Sequence, residues 1–436
     1  NELDYLVLEA QQRIRLPEPL VNVMYHDRLP QDFLLKCVDL IRTGIGQPAF
    51  QDINKATARH LYHDLASVED ARNIAVAGCV QSVIPGHMYL HWEGYLNAAK
   101  MVELVLNNGR DPLTGIDIGV PTGEAETFPS YQAFYKAVVE QLQYSVPLMR
   151  QIGRVAWNLC RGLPVPFASA ALVHDCVGNG KDVGDGGPKY AVGNGVSFVA
   201  MVDLANSLAA IKKLVFDEKR ITIGQLKEAL DADFEGYEEI RRMCLNAPKY
   251  GNDDENVDTI ATDLYEICWK EHQMFPDFLG RPVKPEAYSV IAHSALGRFT
   301  GALPNGRKAL LALTDATVSA QPGTDTHGPT ALIISAARVI DTIKYGANHF
   351  NLKFHPTALV GSGAARKFLQ LIKTYFDLGG YHAQFNCVSS EALKDAQLHP
   401  ENYRDLVVRV AGFSAYFITL DELTQNEIIA RTELQF

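Results

Sequence analysis

Apolar residues recur three and four positions apart in several stretches, the spacing that lines one face of a helix. Segments 3–15, 96–106, 199–215, 364–376 and 423–434 all carry it. Local punctuation agrees: Asn107-Asn108-Gly109 with Pro112 stops the second segment, and Gly379-Gly380 stops the fourth. In the third, Val202, Ala205, Leu208, Ala209 and Ile211 fall near one face. Between the helices lie short apolar runs that predict strands, at 331–335, 350–354, 381–388 and 406–417. Helices alternating with short strands predict an α/β fold. No repeat, low-complexity tract or linker breaks the chain, and the glycine-rich stretch 178–195 is its most loop-like part.

A chain of 436 residues, 47% apolar and 21% charged, can bury a large core. Its formal net charge of -11 argues against a nucleic-acid groove, which needs a basic stripe. No apolar run reaches the roughly eighteen residues of a membrane span. The acidic, mixed opening Asn1-Glu2-Leu3-Asp4 does not read as a signal peptide, and it starts inside a helical pattern, as a processed or separately supplied piece would.

The seven cysteines, Cys37, Cys79, Cys160, Cys176, Cys244, Cys268 and Cys387, are scattered and odd in number. None are spaced as zinc or iron–sulfur ligands, and a disulfide framework is foreign to so core-rich a chain. A cytoplasmic setting is expected. Asn252-Asp253-Asp254 lacks calcium-loop spacing, and 178–195 lacks the spacing of a nucleotide-binding loop.

The most informative run is 406–417, apolar almost throughout with Gly412 at its centre. A glycine there loses packing and costs roughly 0.5–1 kcal/mol against alanine, and ordinarily it marks a bulge or a close backbone approach. The surrounding string is more specific. Arg409-Val410-Ala411-Gly412-Phe413, followed by Gln425, Glu427-Ile428-Ile429 and Arg431-Thr432, resembles the signature of the glycyl radical enzymes. A radical on an α-carbon is stabilised by delocalisation into both flanking amides, which needs a planar centre with no side chain. Upstream, Ala77-Gly78-Cys79-Val80-Gln81, with Pro85-Gly86 and then Asn97, Lys100 and 106–112, resembles the cysteine loop of the same family. A buried free cysteine is usually only a small hydrophobe. Its glycine-flanked loop, together with Gly412, sets Cys79 apart from the other six. Further family-like strings, such as 186–190, 203–215, 247–254, 304–307 and 351–356, extend the likeness over nearly the whole chain.

The resemblance implies that Gly412 stores a radical, that Cys79 relays it as a thiyl, and that the thiyl removes hydrogen from a small organic substrate. It implies no bound organic cofactor or metal. A separate AdoMet-dependent iron–sulfur activase would install the radical. Oxygen would then cut the chain at Gly412 and release the 24 residues after it. The implied fold is part of a ten-stranded α/β barrel of two antiparallel five-stranded halves, with the cysteine and glycine loops meeting in the centre. Residues 1–395 would form the barrel portion, with the cysteine loop at about 74–90, and 396–436 the glycine radical domain. Relatives are roughly twice as long. An N-terminal half, as another chain or as the rest of the same product, should therefore complete the site, in a homodimer or a heteromeric assembly.

One position departs from the family. Many members that eliminate water, ammonia or sulfite, or that decarboxylate, carry Glu two residues after the cysteine as a general acid/base, where this chain has Gln81. An amide hydrogen-bonds but transfers no proton at neutral pH. Gln81, His87, His91 and Glu93 are therefore the candidates for substrate contact or proton relay. Position 80 is Val, unlike the Cys-Cys pair of pyruvate formate-lyase. The wording at 411–417 is similar to the arylacetate decarboxylase, sulfonate lyase and benzylsuccinate synthase branch. The expected activity is a radical lyase, by decarboxylation or carbon–heteroatom cleavage. The alternatives are addition of a substrate C–H to fumarate and a non-catalytic scaffold subunit. Fumarate addition suits Gln81 but finds no arginine between Cys79 and Lys100.

Overall fold

The computed structural model describes residues 1–90, 92–160, 171–191, 193–277 and 280–436. In chain order its strands are β1 (Asn22–Tyr25), β2 (Ala49–Asp52), β3 (Ala75–Ala77), β4 (Gln81–Val83), β5 (Gly94–Asn97), β6 (Asn194–Val199), β7 (Lys284–Glu286), β8 (Asn351–Phe354), β9 (His382–Cys387), β10 (Val407–Arg409), β11 (Ser414–Tyr416) and β12 (Glu433–Leu434). They build a mixed α/β fold. A five-stranded sheet runs β1-β2-β9-β8-β12, and only its β2–β9 pairing is antiparallel. A second sheet pairs β5, β6 and β7 in parallel. Two small antiparallel ribbons, β3-β4 and β10-β11, carry the two loops singled out in the sequence.

Strand β9 explains how the first sheet makes a site. Its six residues, His-Ala-Gln-Phe-Asn-Cys, are all buried. Alternation puts Ala383, Phe385 and Cys387 on one face and His382, Gln384 and Asn386 on the other. The apolar face packs on helices: Phe385 meets Phe368 of helix Gly361–Asp377 with ring centroids 4.7 Å apart. The polar face must find buried partners of its own, and it finds them in the β10-β11 ribbon. Strand β8 repeats the pattern, with Asn351 and Lys353 sharing one side.

Several sequence expectations need correction. Segment 331–335 is not a strand but lies inside helix Gly328–Arg338, where Pro329 stands in the first turn, a place that suits proline. Segment 406–417 is not one strand: it folds back on itself, with Val407 opposite Tyr416 and Arg409 opposite Ser414. Segment 96–106 begins as β5 and turns helical only at Lys100–Leu106. The helix within 199–215 runs Met201–Ile211 and ends in a wider π turn at Lys212–Asp217. That within 423–434 is Glu422–Ala430, followed by β12. The opening helix is Glu2–Ile14, capped by Asn1. No described helix is long and apolar enough to cross a membrane.

Candidate active site

The β10-β11 ribbon turns through Val410-Ala411-Gly412-Phe413, closed by Val410 N–H donating to Phe413 O at 3.0 Å. Gly412 takes φ +94°, a region that side-chain-bearing residues avoid. There is also no room for a side chain. A Cβ on Gly412 would fall 2.5 Å from His349 Nε2 and 2.7 Å from Cys79 Sγ. The close approach that the apolar run hinted at is thus an approach to the thiol itself.

Buried polar groups fix this turn. Gln384 Oε1 accepts from the Gly412 amide at 3.1 Å and from Arg409 Nε at 2.7 Å. Asn386 brackets Arg409, accepting from its N–H at 2.8 Å and donating to its carbonyl at 2.7 Å. Asn351 Nδ2 and Arg431 Nη2 both donate to Val410 O, at 2.8 and 2.9 Å. Arg431 also pairs with Glu427 at 2.7 Å and Asp315 at 3.3 Å. The two carboxylates divide the effect. Although burial works against it, Arg431 holds Glu427 down at about 2. Burial dominates at Asp315 and pushes it up to about 6.

Cys79 sits in the β3-β4 turn, after Gly78 at φ +58°. It is half-buried beside Val80, Tyr288 and Ala347, with Tyr95 and Val290 packed on the same cluster. Burial raises its pKa, and the nearby Arg409 only partly opposes this, so the thiol stays neutral. Tyr381 anchors the turn by donating toward Val80 O at 2.8 Å and Gln51 Oε1 at 2.7 Å. Burial depresses the His349 pKa to about 3, so the imidazole facing Gly412 is neutral.

The other candidates separate. Gln81 is in the site, donating Nε2–H to Tyr288 Oη at 3.1 Å. His87 stacks on His174 with centroids 4.6 Å apart, while its backbone carbonyl accepts from Tyr190 N–H. Glu93 is buried in an ion pair with Arg150 of helix Tyr131–Cys160, which ties it to that helix. Its pKa is raised by burial against the pull of Arg150. His91 lies outside the described residues. Of Asn252-Asp253-Asp254, Asp253 pairs with Arg338 at 2.8 Å and Asp254 caps helix Glu255–Gln273. Sequence reading missed His349, Gln384, Tyr288 and Tyr95. The alternating polar residues of β9 were the one visible signal, since His, Gln and Asn in a strand otherwise apolar need a reason to be buried.

Residues 1–297 match the family model described as pyruvate formate lyase-like, and 314–418 match that for the glycine radical. The chain belongs to the glycyl radical enzyme family. It is 36% identical over 438 residues to trans-4-hydroxy-L-proline dehydratase of Clostridioides difficile, covering 100% of this chain and 55% of that protein. It is 34% identical to indoleacetate decarboxylase of Tractidigestivibacter scatoligenes, covering 99% and 52%. The glycerol-bound B12-independent glycerol dehydratase of Clostridium butyricum superposes with a TM-score of 0.94 at 37% identity, over 100% of this chain and 55% of that one. The chain thus spans about half the length of the relatives it matches. Dehydratases stand beside decarboxylases among them, which broadens the reading taken from the wording at 411–417.

Proposed function

We propose that this chain is the radical-bearing portion of a glycyl radical lyase, with Gly412 as radical store and Cys79 as the hydrogen-abstracting thiol. The observation that carries this reading is the close approach of Cys79 to Gly412, where an added Cβ would fall 2.7 Å from Cys79 Sγ, in a buried setting that permits no side chain at position 412. The stored radical takes the hydrogen atom of the neutral thiol. The thiyl takes one from substrate, and the sequence reverses after the leaving group departs. Thiolate would carry no hydrogen atom to give, which is why burial and the raised Cys79 pKa suit the role. Hydrogen bonds from the Gly412 amide to Gln384 and from Asn351 to the Val410 carbonyl hold the peptide in register with the thiol.

The substrate class is a small polar organic molecule losing a heteroatom group or carbon dioxide, in keeping with the named activities of the relatives. A separate AdoMet-dependent activase installs the radical. An N-terminal half completes a ten-stranded barrel around the two loops and supplies much of substrate recognition. We take 396–436 as the radical domain, carried on barrel portion 1–395; the small core of Ala396, Val408, Val410, Phe417 and Ile428 within it also takes in Val388 and Leu393 from just before that boundary. Free thiols at Cys37, Cys79, Cys176, Cys244, Cys268 and Cys387 suit a reducing cytoplasm.

Gln81 keeps fumarate addition as a second reading, because that reaction needs no proton donor beside the thiol. Mass spectrometry of the assembled, activated protein with hydroxylated, arylacetate and hydrocarbon substrates separates the two. Loss of a fragment supports the lyase, and gain of fumarate supports addition. If turnover were unchanged in Cys79→Ser, a scaffold role would replace both.

A further inference from the structure

We propose that Tyr288, oriented by Gln81, donates a proton to a departing hydroxyl group, so that the reaction is a dehydration. The proposal rests on the radical-lyase reading and names its acid and its leaving group. Tyr288 packs with Val80 and Ala347, against Cys79 and Tyr95, on the thiol side of the site. Its ring lies 5.8 Å from that of His349, which itself faces Gly412. The bond from Gln81 Nε2–H makes the phenol oxygen an acceptor, and no described residue takes the phenol's own hydrogen. An ionised glutamate at position 81 would do the reverse and draw that hydrogen to itself. With Gln81 the O–H is left for a ligand.

Of the other acids nearby, Glu93 is paired with Arg150. Glu286, pushed up to about 8 by burial, lies against Gly346 and is not among the residues packed with Cys79. Burial keeps the phenol protonated, which suits it as acid and not as base. Hydroxide is a poor leaving group and needs that proton, whereas carbon dioxide departs without one.

The step balances within the site. The Cys79 thiyl removes a hydrogen atom from a carbon bearing O–H or N–H. The neighbouring C–OH bond breaks, and its oxygen keeps the electron pair and takes the Tyr288 proton, leaving as water. The O–H or N–H on the radical carbon gives its proton to the phenolate as a carbonyl or imine forms. The product radical then recovers a hydrogen atom from the Cys79 thiol.

The test uses the assembled, activated protein in D2O with trans-4-hydroxy-L-proline, glycerol and 1,2-propanediol as probes. Wild type should dehydrate at least one of them. Tyr288→Phe should keep its radical signal while kcat falls about 10²–10⁴-fold. Unreacted probe recovered from it should gain deuterium at the abstracted carbon, because Cys79 S–D quenches a substrate radical that cannot eliminate. Gln81→Leu should slow turnover about tenfold yet slow Tyr288→Phe no further, as coupled residues do. The proposal is overturned by turnover of Tyr288→Phe within about threefold of wild type, or by a fall without deuterium entry, which would mark mere structural damage. A wild type that holds its radical but dehydrates no probe also overturns it. A wild type with no radical defeats the broader reading first, and this proposal with it.

Discussion

The two loops that meet in the site are held in opposite ways. The glycine turn is locked by Gln384, Asn386, Asn351 and Arg431, all buried, on strands and helices of the same chain. The cysteine turn rests on a three-residue ribbon and is tied at Val80 O to Tyr381, with Cys79 left half-buried. A radical store needs an environment that excludes quenchers and holds one peptide plane. A relay thiol needs a face open to substrate. The glycine turn is fixed by partners within this chain, whereas the cysteine turn keeps a more open side, the one that the proposed N-terminal half would cover.

The sharpest way to break the contrast is at the contact itself. Gly412→Ala places a methyl on Cys79 and His349 at a φ that alanine resists, so the radical signal should vanish altogether in electron paramagnetic resonance. Cys79→Ser should do the reverse, leaving the signal in place while product formation, followed by mass spectrometry, falls to background.

Smaller changes probe the anchors. Arg431→Met leaves Glu427 and Asp315 facing each other without their cation, and breaking a buried pair in this way costs about 3–5 kcal/mol. Denaturant unfolding should show that loss, and protease cleavage near Gly412 should quicken. Tyr381→Phe strips the hydrogen from Val80 O and Gln51 Oε1, a loss of about 1–3 kcal/mol. It should slow turnover while leaving the radical signal intact, because only the cysteine turn loosens.

The smallest effect is in pH. Asp315 has a folded pKa raised from 3.8 to about 6, so its favourable contribution is full below 3.8 and is lost as pH rises through about 6. Glu427 is depressed from 4.5 to about 2, so its contribution is present above 4.5 and fades only as pH falls toward 2. Between about pH 5 and 7.5 the Asp315 trend is therefore free of Glu427. Asp258 and Asp325, each raised to about 6, and Glu286, raised to about 8, decline in the same direction, so Asp315 supplies one part of the slope. Asp315→Asn should flatten the decline in Tm of the assembled protein across that window, and an unchanged slope would remove Asp315 from the account.

What the sequence disclosed follows from the same contrast. Gly412 and Cys79 stood out because the chemistry proposed for them demands particular residues within short strings, and the structure brings those two strings together. The run 331–335 misled because five apolar positions cannot distinguish strand from helix, and only Gly328-Pro329 just before it marked a helix start. The run 406–417 was legible as buried but not as a ribbon, since the reversal at Gly412 is imposed by partners on β8 and β9. Glu93 drew notice by its nearness to Cys79 in sequence, yet its partner Arg150 is far along the chain. Tyr288 and His349 carried no local signal, because tertiary folding alone brings them to the thiol.

The central claim is that Gly412 stores an unpaired electron. Its most direct test is an anaerobic electron paramagnetic resonance spectrum of the assembled protein after incubation with an activase, AdoMet and reductant. The account predicts a doublet, split by the single remaining α-hydrogen, that collapses when the protein is made with α-deuterated glycine and is absent in Gly412→Ala. A doublet that survives Gly412→Ala, or none from an intact assembly tried with several activases, would contradict it.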